Sequence, residues 1–517
     1  MLEEVTVTGR RRLIEPSAGG VKANVAGTSL ARMGTAGEML AHLPFVTSRN
    51  GSLSVLGSGT PEIYINSRKV RDLGELDRLR ASEILSAEVI TAPGPEYAAD
   101  VPAVIRIRTL RQRGEGWSGS VNLGYNQGRW ANGDQQVALN FRTGGLDFFV
   151  KGYVSEKNSY GETEAVIRTE GKDVWETVAG DVQTSRSQRF SADADNFIRQ
   201  RAFAVFAGYS ASWGKWRANA GLRYEHRATD YWDQGVRVEE QSPVYDELIP
   251  TVSVSWSDRD LSLALAWKTM RTNPSYALLT NAVSYRTQYS YTTGNPGLEP
   301  SQASILSLNL AYKWLFAYVQ YSYSRNSLSN ITMPYNEETH PGVLLFTSAN
   351  LAPGSSCIIN LSAAPRIGVW QPQFSISGVY AAPDGRNLGI EVWRRQPLFN
   401  FGWDNSFTLP QGWFLNVRGS LQTAARMGFM VNRLEGRLNA RVSKSFLKDD
   451  ALTLSLTADD ILRTGYYHFN VYGIDSYNGN RIYRDWQRVG IQLSYKFNAT
   501  KSKYKGTGAG QSEKARL

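Results

Sequence analysis

The stretch "FAVFAGYSASWGKWRANAGLRYEH", residues 203–226, is built on a two-residue alternation. After the turn at Gly214-Lys215, one set reads Trp216, Ala218, Ala220, Leu222, Tyr224. The set between reads Arg217, Asn219, Gly221, Arg223, Glu225. Alternation marks a strand, with the two sets on opposite faces of a sheet. In a water-soluble sheet the apolar face would cover a core. In a barrel surrounded by lipid it would face outward and leave the charges inside.

The neighbouring sequence decides between these. The chain has 517 residues, too many for one small domain. Its 57 Lys+Arg exceed its 47 Asp+Glu, a formal net charge of +10. No dense basic stripe runs through the body of the chain, so nucleic acid is not an expected partner. The basic run is confined to the tail 498–517, with Lys501, Lys503, Lys505, Lys514 and Arg516, and reads as solvated and disordered. The single cysteine, Cys357, allows no internal disulfide and no cysteine-based zinc cluster. No apolar run approaches the roughly 18 residues of a membrane helix. The opening "MLEEVTVTGRR" lacks the apolar core of a signal peptide, so an exported chain would already have lost its signal. The 14 Trp, 26 Tyr and 19 Phe would supply interfacial girdles.

Up to about residue 113, helix and strand patterns mix. "TAGEMLAHLPFV" (35–46) and "LGELDRLRASEI" (73–84) read as helices. "LSVLG" (53–57), "EIYINSRKV" (62–70), "AEVITA" (87–92) and "AVIRIRT" (103–109) read as strands. This predicts a small α+β domain over 13–113. From 114 to 497 the pattern is nearly all strand, each with roughly the ten residues that cross a bilayer at a tilt. Short turns fall at 143–146, 213–215, 257–260, 313–315, 364–367, 409–412 and 447–451. Longer stretches lie between them, near 158–182, 227–244, 272–300, 327–352, 381–396, 424–432 and 464–483. Barrels of the outer membrane sort their connections this way. The reading is an all-β membrane protein: an antiparallel transmembrane β-barrel in the bacterial outer membrane, contacting its lipid, with a small α+β N-terminal domain. The apolar set of 216–224 then meets lipid. Arg217, Arg223 and Glu225 face the lumen, as do Arg437 and Arg441. Seven short-turn hairpins with a first and last strand give sixteen strands. A further hairpin within 188–201 would give eighteen.

Three stretches resemble TonB-dependent outer-membrane receptors. "LEEVTVTGRR" (2–11) looks like the region of the TonB box. "ASEILSAEVITAPGPEYAADVPAVIRIRT" (81–109) looks like the closing segment of the plug. "GNPGLEPSQA" (294–303) matches a stretch that leads into a barrel strand. The terminal "RVGIQLSYKFN" is similar as well. The resemblance implies four regions: a TonB-box segment over 1–12, a plug over 13–113, the barrel over 114–497 and the tail. It implies uptake of a scarce ligand, with a TonB-type periplasmic energy-coupling protein as partner. Glu4, Val5, Thr6, Val7 and Thr8 would dock there by strand pairing. The ligand, whether small molecule, glycan or peptide, is not legible. The alternatives are a non-transporting barrel with a structural role and a porin-like channel. Two departures stand out. Ala98-Ala99-Asp100-Val101-Pro102 replaces a glycine-containing turn, and sixteen strands fall short of the family's twenty-two or so. Sixteen strands give a radius of roughly 16 Å, of which side chains take about 5 Å; a compact domain over 13–113 needs roughly 17 Å. The domain is therefore expected to stand partly below the barrel, or the barrel to be open. The lumen arginines would then face water rather than plug carboxylates.

Chemistry is sparse. His42, His226, His340 and His468 have no metal-ligand spacing, and no cofactor is implied. No Ser/His/Asp set assembles, so an enzyme is not expected. In the 272–300 stretch Tyr285, Tyr289 and Tyr291 lie near Arg286. In the 381–396 stretch Trp393 adjoins Arg394. Aromatic surface beside guanidinium suits sugars, catechols or anionic ligands; it equally suits anchoring above the membrane.

Overall fold

The structure is a computed structural model. It describes residues 13–497 except 18–19, 50–51, 56–58, 71–72, 92, 95, 99, 111–115, 144–145, 157–160, 170–171, 181–195, 234, 259, 288, 337, 382, 391–394 and 448–449.

The alternating segments pair antiparallel, neighbour to neighbour, into one curled sheet. It starts at Gly116–Gln127, Ala131–Thr143 and Leu146–Glu156, continues through Asn196–Trp213 and Trp216–Asp233, and ends at Arg488–Phe497. Seventeen strands lie in the order; one is the two-residue Val236–Arg237 beside the tip of Trp216–Asp233. Seventeen less that one leaves sixteen wall strands among the described residues. The further hairpin is not seen: residues 196–201 open a wall strand, and 188–195 lie outside the described residues. The last strand pairs with the first, Tyr495 opposite Val121. The order sets Leu146–Glu156 next to Asn196–Trp213, yet no residue of one pairs with the other among the described residues, so the wall is not closed at that seam.

Burial is inverted relative to a soluble sheet. Tyr209, Ala220 and Val252 sit opposite one another on three adjacent strands. All three are exposed, Tyr209 at 73% and Val252 at 46%. The inward set is polar and buried, including Asn122, Gln136, Ser307, Gln320, Asn360 and Ser443. Lipid on the outer face is the environment in which this arrangement costs nothing. Trp213, Trp216 and Trp256 line up at the short-turn rim, where indole rings suit the membrane–water boundary.

The N-terminal region forms a six-stranded sheet in the order Ile14–Ser17, Gly20–Asn24, Ile84–Ile90, Val104–Thr109, Glu62–Ile65, Arg68–Lys69. Its helices are shorter than the sequence suggests. The first is Ala36–Leu40, capped by Thr35, whose hydroxyl accepts from the Glu38 N–H at 3.2 Å. A cap of this kind contributes about 1 kcal/mol. The helix stops ahead of Leu43-Pro44, because a residue before proline is pushed out of the helical region. The second is Gly74–Arg78, ended by extended Leu79 and followed by the separate turn Ala81–Glu83. The Leu79 carbonyl instead accepts from the Ala36 N–H at 2.6 Å, so a tertiary bond outcompetes helix continuation.

The core of this region is shared with the barrel. Met39, Leu40, Ile84, Ile105 and Ile107 join one buried cluster with Ala311, Phe316, Tyr318, Ala364 and Phe414 of the wall. All five wall residues lie near the short-turn ends of their strands. Deeper contact comes from Lys268, eighth in Leu261–Thr272 counted from the short turn, which donates to the Pro102 carbonyl at 2.8 Å. At the opposite extreme Arg32 reaches Asp450 in the short turn 447–451, at 3.5 Å. The domain therefore spans from the rim to beyond mid-barrel and is inserted, so the expectation that it stands below is overturned, while the alternative of an open barrel agrees with the unpaired seam ahead of Asn196–Trp213. It lies against strands from Trp216–Asp233 round to Ala131–Thr143, and the wall is open at the seam that precedes Asn196–Trp213. On Asn196–Trp213 the inward set Ala202, Ala204, Phe206, Gly208, Ser210, Ser212 is exposed throughout, as is the outward set Phe203, Val205, Tyr209, Trp213.

The long connections are themselves ordered into sheets. Three of them give six strands, in the order Lys172–Gly180, Gly161–Thr169, Ser476–Tyr483, Tyr467–Gly473, Met430–Asn432, Ala425–Met427. Two others give four, in the order Ser284–Thr287, Ser290–Thr292, His340–Asn350, Leu328–Asn336.

Candidate functional site

Above the long-loop rim, Ser290–Thr292 runs parallel to His340–Asn350, with Tyr291 opposite Leu345. This non-local pairing assembles an aromatic group. Tyr291 lies 5.9 Å from Tyr285 and 4.7 Å from Tyr335 between ring centroids. Tyr335 lies 5.5 Å from His340. Arg286 places its guanidinium 5.3 Å over the Phe346 ring. Tyr285, Arg286 and His340 are exposed. Together they form a shelf of flat rings with a cation beside it, suited to stacking and charge recognition. Tyr289 stands next to the group, and its carbonyl accepts from the Leu344 N–H at 2.9 Å. Tyr335, His340 and Phe346 come from a second connection and were not assigned from sequence. Trp393 and Arg394 lie outside the described residues, as do Glu4, Val5, Thr6, Val7 and Thr8.

The "GNPGLEP" segment holds the shelf in place. The Asn295 side-chain amide donates to the Ser348 carbonyl at 3.1 Å, and Asn350 donates to the Glu299 carbonyl at 2.9 Å. A Cβ on Gly294 would sit 2.5 Å from the Thr280 carbonyl oxygen, so only glycine permits this approach.

Asp384 anchors the 381–390 connection, its carbonyl accepting from the Ala352 N–H at 3.0 Å. It is paired with Arg386 and lies 4.0 Å from Arg395. The hydrogen bond from Arg386, with the nearby positive charge, holds its carboxyl well down, to about 2. In the domain, burial and the bond to Glu62 push the Tyr64 phenol up to about 12.

Inside the barrel, charged tethers join domain to wall. Arg441 donates to Glu38 at 2.6 Å, Arg80 lies 3.3 Å from Asp134, and His42 pairs with Asp404. Arg418 donates to the Ala41 carbonyl at 2.7 Å. The expected lumen residues divide accordingly. Arg441 pairs with a carboxylate of the domain, against the expectation that it faces water. Arg223 and Arg227 flank Glu225 at 3.3 and 2.6 Å, and Arg437 lies 3.0 Å from Glu435 with Trp486 stacked 3.7 Å away. Arg217 is exposed. Among the described residues no group of His, Cys, Asp and Glu is placed to hold a metal.

Comparison with known proteins places this geometry. Residues 153–495 match the model of the outer membrane protein beta-barrel family. No curated protein sequence matches the chain. Among solved structures, the chain resembles the siderophore receptor PirA from Pseudomonas aeruginosa, with a TM-score of 0.54 at 10% identity, covering 93% of this chain and 100% of that one. PirA from Acinetobacter baumannii gives 0.56 at 9% identity, covering 93% and 98%. The ferric citrate transporter FecA in its unliganded form gives 0.57 at 11% identity, covering 93% and 97%. At such identities the likeness is one of fold: a barrel with a domain lodged inside it.

Proposed function

The chain belongs to the outer membrane protein β-barrel family of the bacterial outer membrane, and on that premise we propose that it is a receptor that imports a scarce ligand at the expense of a TonB-type periplasmic protein. The observation that carries this reading is the inserted domain with its charged tethers. A barrel meant only for support or for free diffusion has no use for a domain that fills much of its lumen. An ion pair such as Glu38–Arg441, half-exposed on its Glu38 side, can be broken by a modest pull and re-formed in water. Residues 4–8 would receive that pull by adding a strand to the partner's sheet.

The ligand would be captured on the shelf of Tyr285, Arg286, Tyr289 and Tyr291. Rings beside a guanidinium suit an anionic ligand with flat faces, and proteins of like fold include siderophore receptors and a ferric citrate transporter. Mass spectrometry of ligand copurified with the full chain tests the assignment. An anionic aromatic or chelating compound, lost in Tyr291→Ala, is the expected result. A neutral aliphatic compound, or retention in that variant, would overturn the site.

A further inference from the structure

We propose that the upper end of three adjacent wall strands is a docking site for an anionic glycolipid of the outer leaflet, which sets its phosphates on Arg433, Arg463 and Arg484 and its acyl chains on Leu434, Ile461, Leu462 and Val489. The strands are Glu435–Phe446, Leu452–Asp459 and Arg488–Phe497, neighbours in the barrel order. The site lies on the outside of the barrel and does not depend on the uptake reading.

The patch is built around the turn 460–465. Its Ile461 N–H donates to the Leu438 carbonyl at 2.8 Å, and the Thr464 hydroxyl donates to the Gly436 carbonyl at 2.8 Å. On the other side the Gln487 side-chain amide donates to the Ile461 carbonyl at 3.3 Å. These bonds set the turn across the tops of both flanking strands. Asp460 and Arg463 hold left-handed φ values of 43° and 52°, which residues other than glycine seldom adopt. The buried Asp460 carboxylate fixes the turn by accepting from the Thr464 and Gly465 N–H groups at 3.1 and 3.2 Å. Leu462 and Arg463 are left exposed, Leu462 at 63%. Leu434, at 65%, and Val489, at 63%, continue the outward sets of the flanking strands.

Charge in the patch is of one sign. The carboxylates of segments 433–438, 460–465 and 484–489 are Glu435, Asp460 and Asp485, and all three are buried. Arg433, Arg463 and Arg484 are exposed, and none has a carboxylate partner among the described residues. The Arg463 guanidinium rests 5.3 Å over the Tyr483 ring, which steadies it. Leu434 lies twelve residues above Phe446, the last of its strand before the short turn. At about 3.3 Å each and a tilt of about 40°, they rise roughly 30 Å, the thickness of the hydrocarbon layer. The arginines therefore stand at the level of the outer headgroups, with the apolar side chains against the acyl region. Guanidinium groups bind phosphate bidentately, and a headgroup with two phosphates matches a cluster of such cations better than a headgroup with none.

The test uses the full chain in detergent micelles, read by native mass spectrometry, with diphosphoryl lipid A as the probe. Lipid A is expected to stay bound, and its dephosphorylated form to bind at least tenfold more weakly. Arg433→Gln with Arg463→Gln and Arg484→Gln should weaken lipid A at least tenfold. Arg325→Gln, at the upper end of Leu315–Arg325, should leave it unchanged. Heat-modifiable mobility shows that each variant is assembled. The parent alone supplies a second measurement: lipid A should slow hydrogen exchange of the 461–465 amides severalfold. No bound lipid A, equal binding of the dephosphorylated form, or parental affinity in the triple variant would each overturn the proposal. So would a dimer of the parent that the triple variant dissolves, which would give the patch to a second copy of the chain.

Discussion

Glu38, in the first turn of a five-residue helix, accepts a hydrogen bond at 2.6 Å from Arg441, 403 residues further along the chain. The pair fixes the helix to the wall at mid-strand. It is half in water on the Glu38 side, so it holds position without locking it. A double-mutant cycle on Glu38→Gln and Arg441→Gln should show a coupling of about 0.5–1 kcal/mol. Hydrogen exchange of the amides in Ala36–Leu40 is the measurement. A coupling near zero would mean that shape, not charge, seats the domain.

The outward orientation of Ala220 sets a second outcome. Ala220→Arg puts a charge on the lipid face and should cost roughly 2–4 kcal/mol, lowering the yield of assembled barrel. Asn219→Lys places its charge in the lumen and should assemble as the parent does. Heat-modifiable mobility of outer-membrane fractions separates the two, and equal yields would contradict the orientation.

Val7→Pro tests the coupling segment. Proline removes one backbone donor from a strand that would pair with the partner. Energised uptake should fall to background while ligand binding to whole cells is retained. Uptake equal to the parent's would remove residues 4–8 from the mechanism.

Asp384 predicts how the 381–390 connection responds to acid. Its carboxyl lies at about 2 when folded, against roughly 3.9 when free. A depressed value means that the charged form stabilises the fold. The contribution is complete above the free value and is lost as pH falls from about 4 toward about 2. Limited proteolysis across that interval should show the connection loosening in the parent. Asp384→Asn should be cleaved more readily at neutral pH and lose the acid step. A parent whose cleavage does not change over that interval would refute it.

The barrel was legible because membrane strands carry their environment in their period. Trp216 to Tyr224 names both faces, and the spacing of turns such as 213–215 and 409–412 yields the strand number. The inserted domain was less so. Size arguments allowed for a domain standing below or an open barrel, and the domain is inserted in a wall left open ahead of Asn196–Trp213, a seam that no local pattern marks. The aromatic shelf was half legible: Tyr285 and Tyr291 are neighbours in sequence, but Tyr335 and His340 join them through a parallel pairing between connections. Nothing local encodes that register. The helix of 73–84 failed for a similar reason, since the Leu79 carbonyl has a distant partner in Ala36.

The six-stranded sheet above the rim has a consequence for the order of assembly. Gly161–Thr169 belongs to the early part of the chain, yet its partner is Ser476–Tyr483, with Glu162 opposite Tyr483. Such a pairing has a very large sequence separation, and loop-closure entropy makes it slow. It bridges the connection that precedes Asn196–Trp213 and the connection that precedes the terminal strand. The clasp can therefore form only after nearly all of the polypeptide has been delivered. Until then the strands of the early connection lack their partner, and the final hairpin acts as the timer that completes the sheet above the rim.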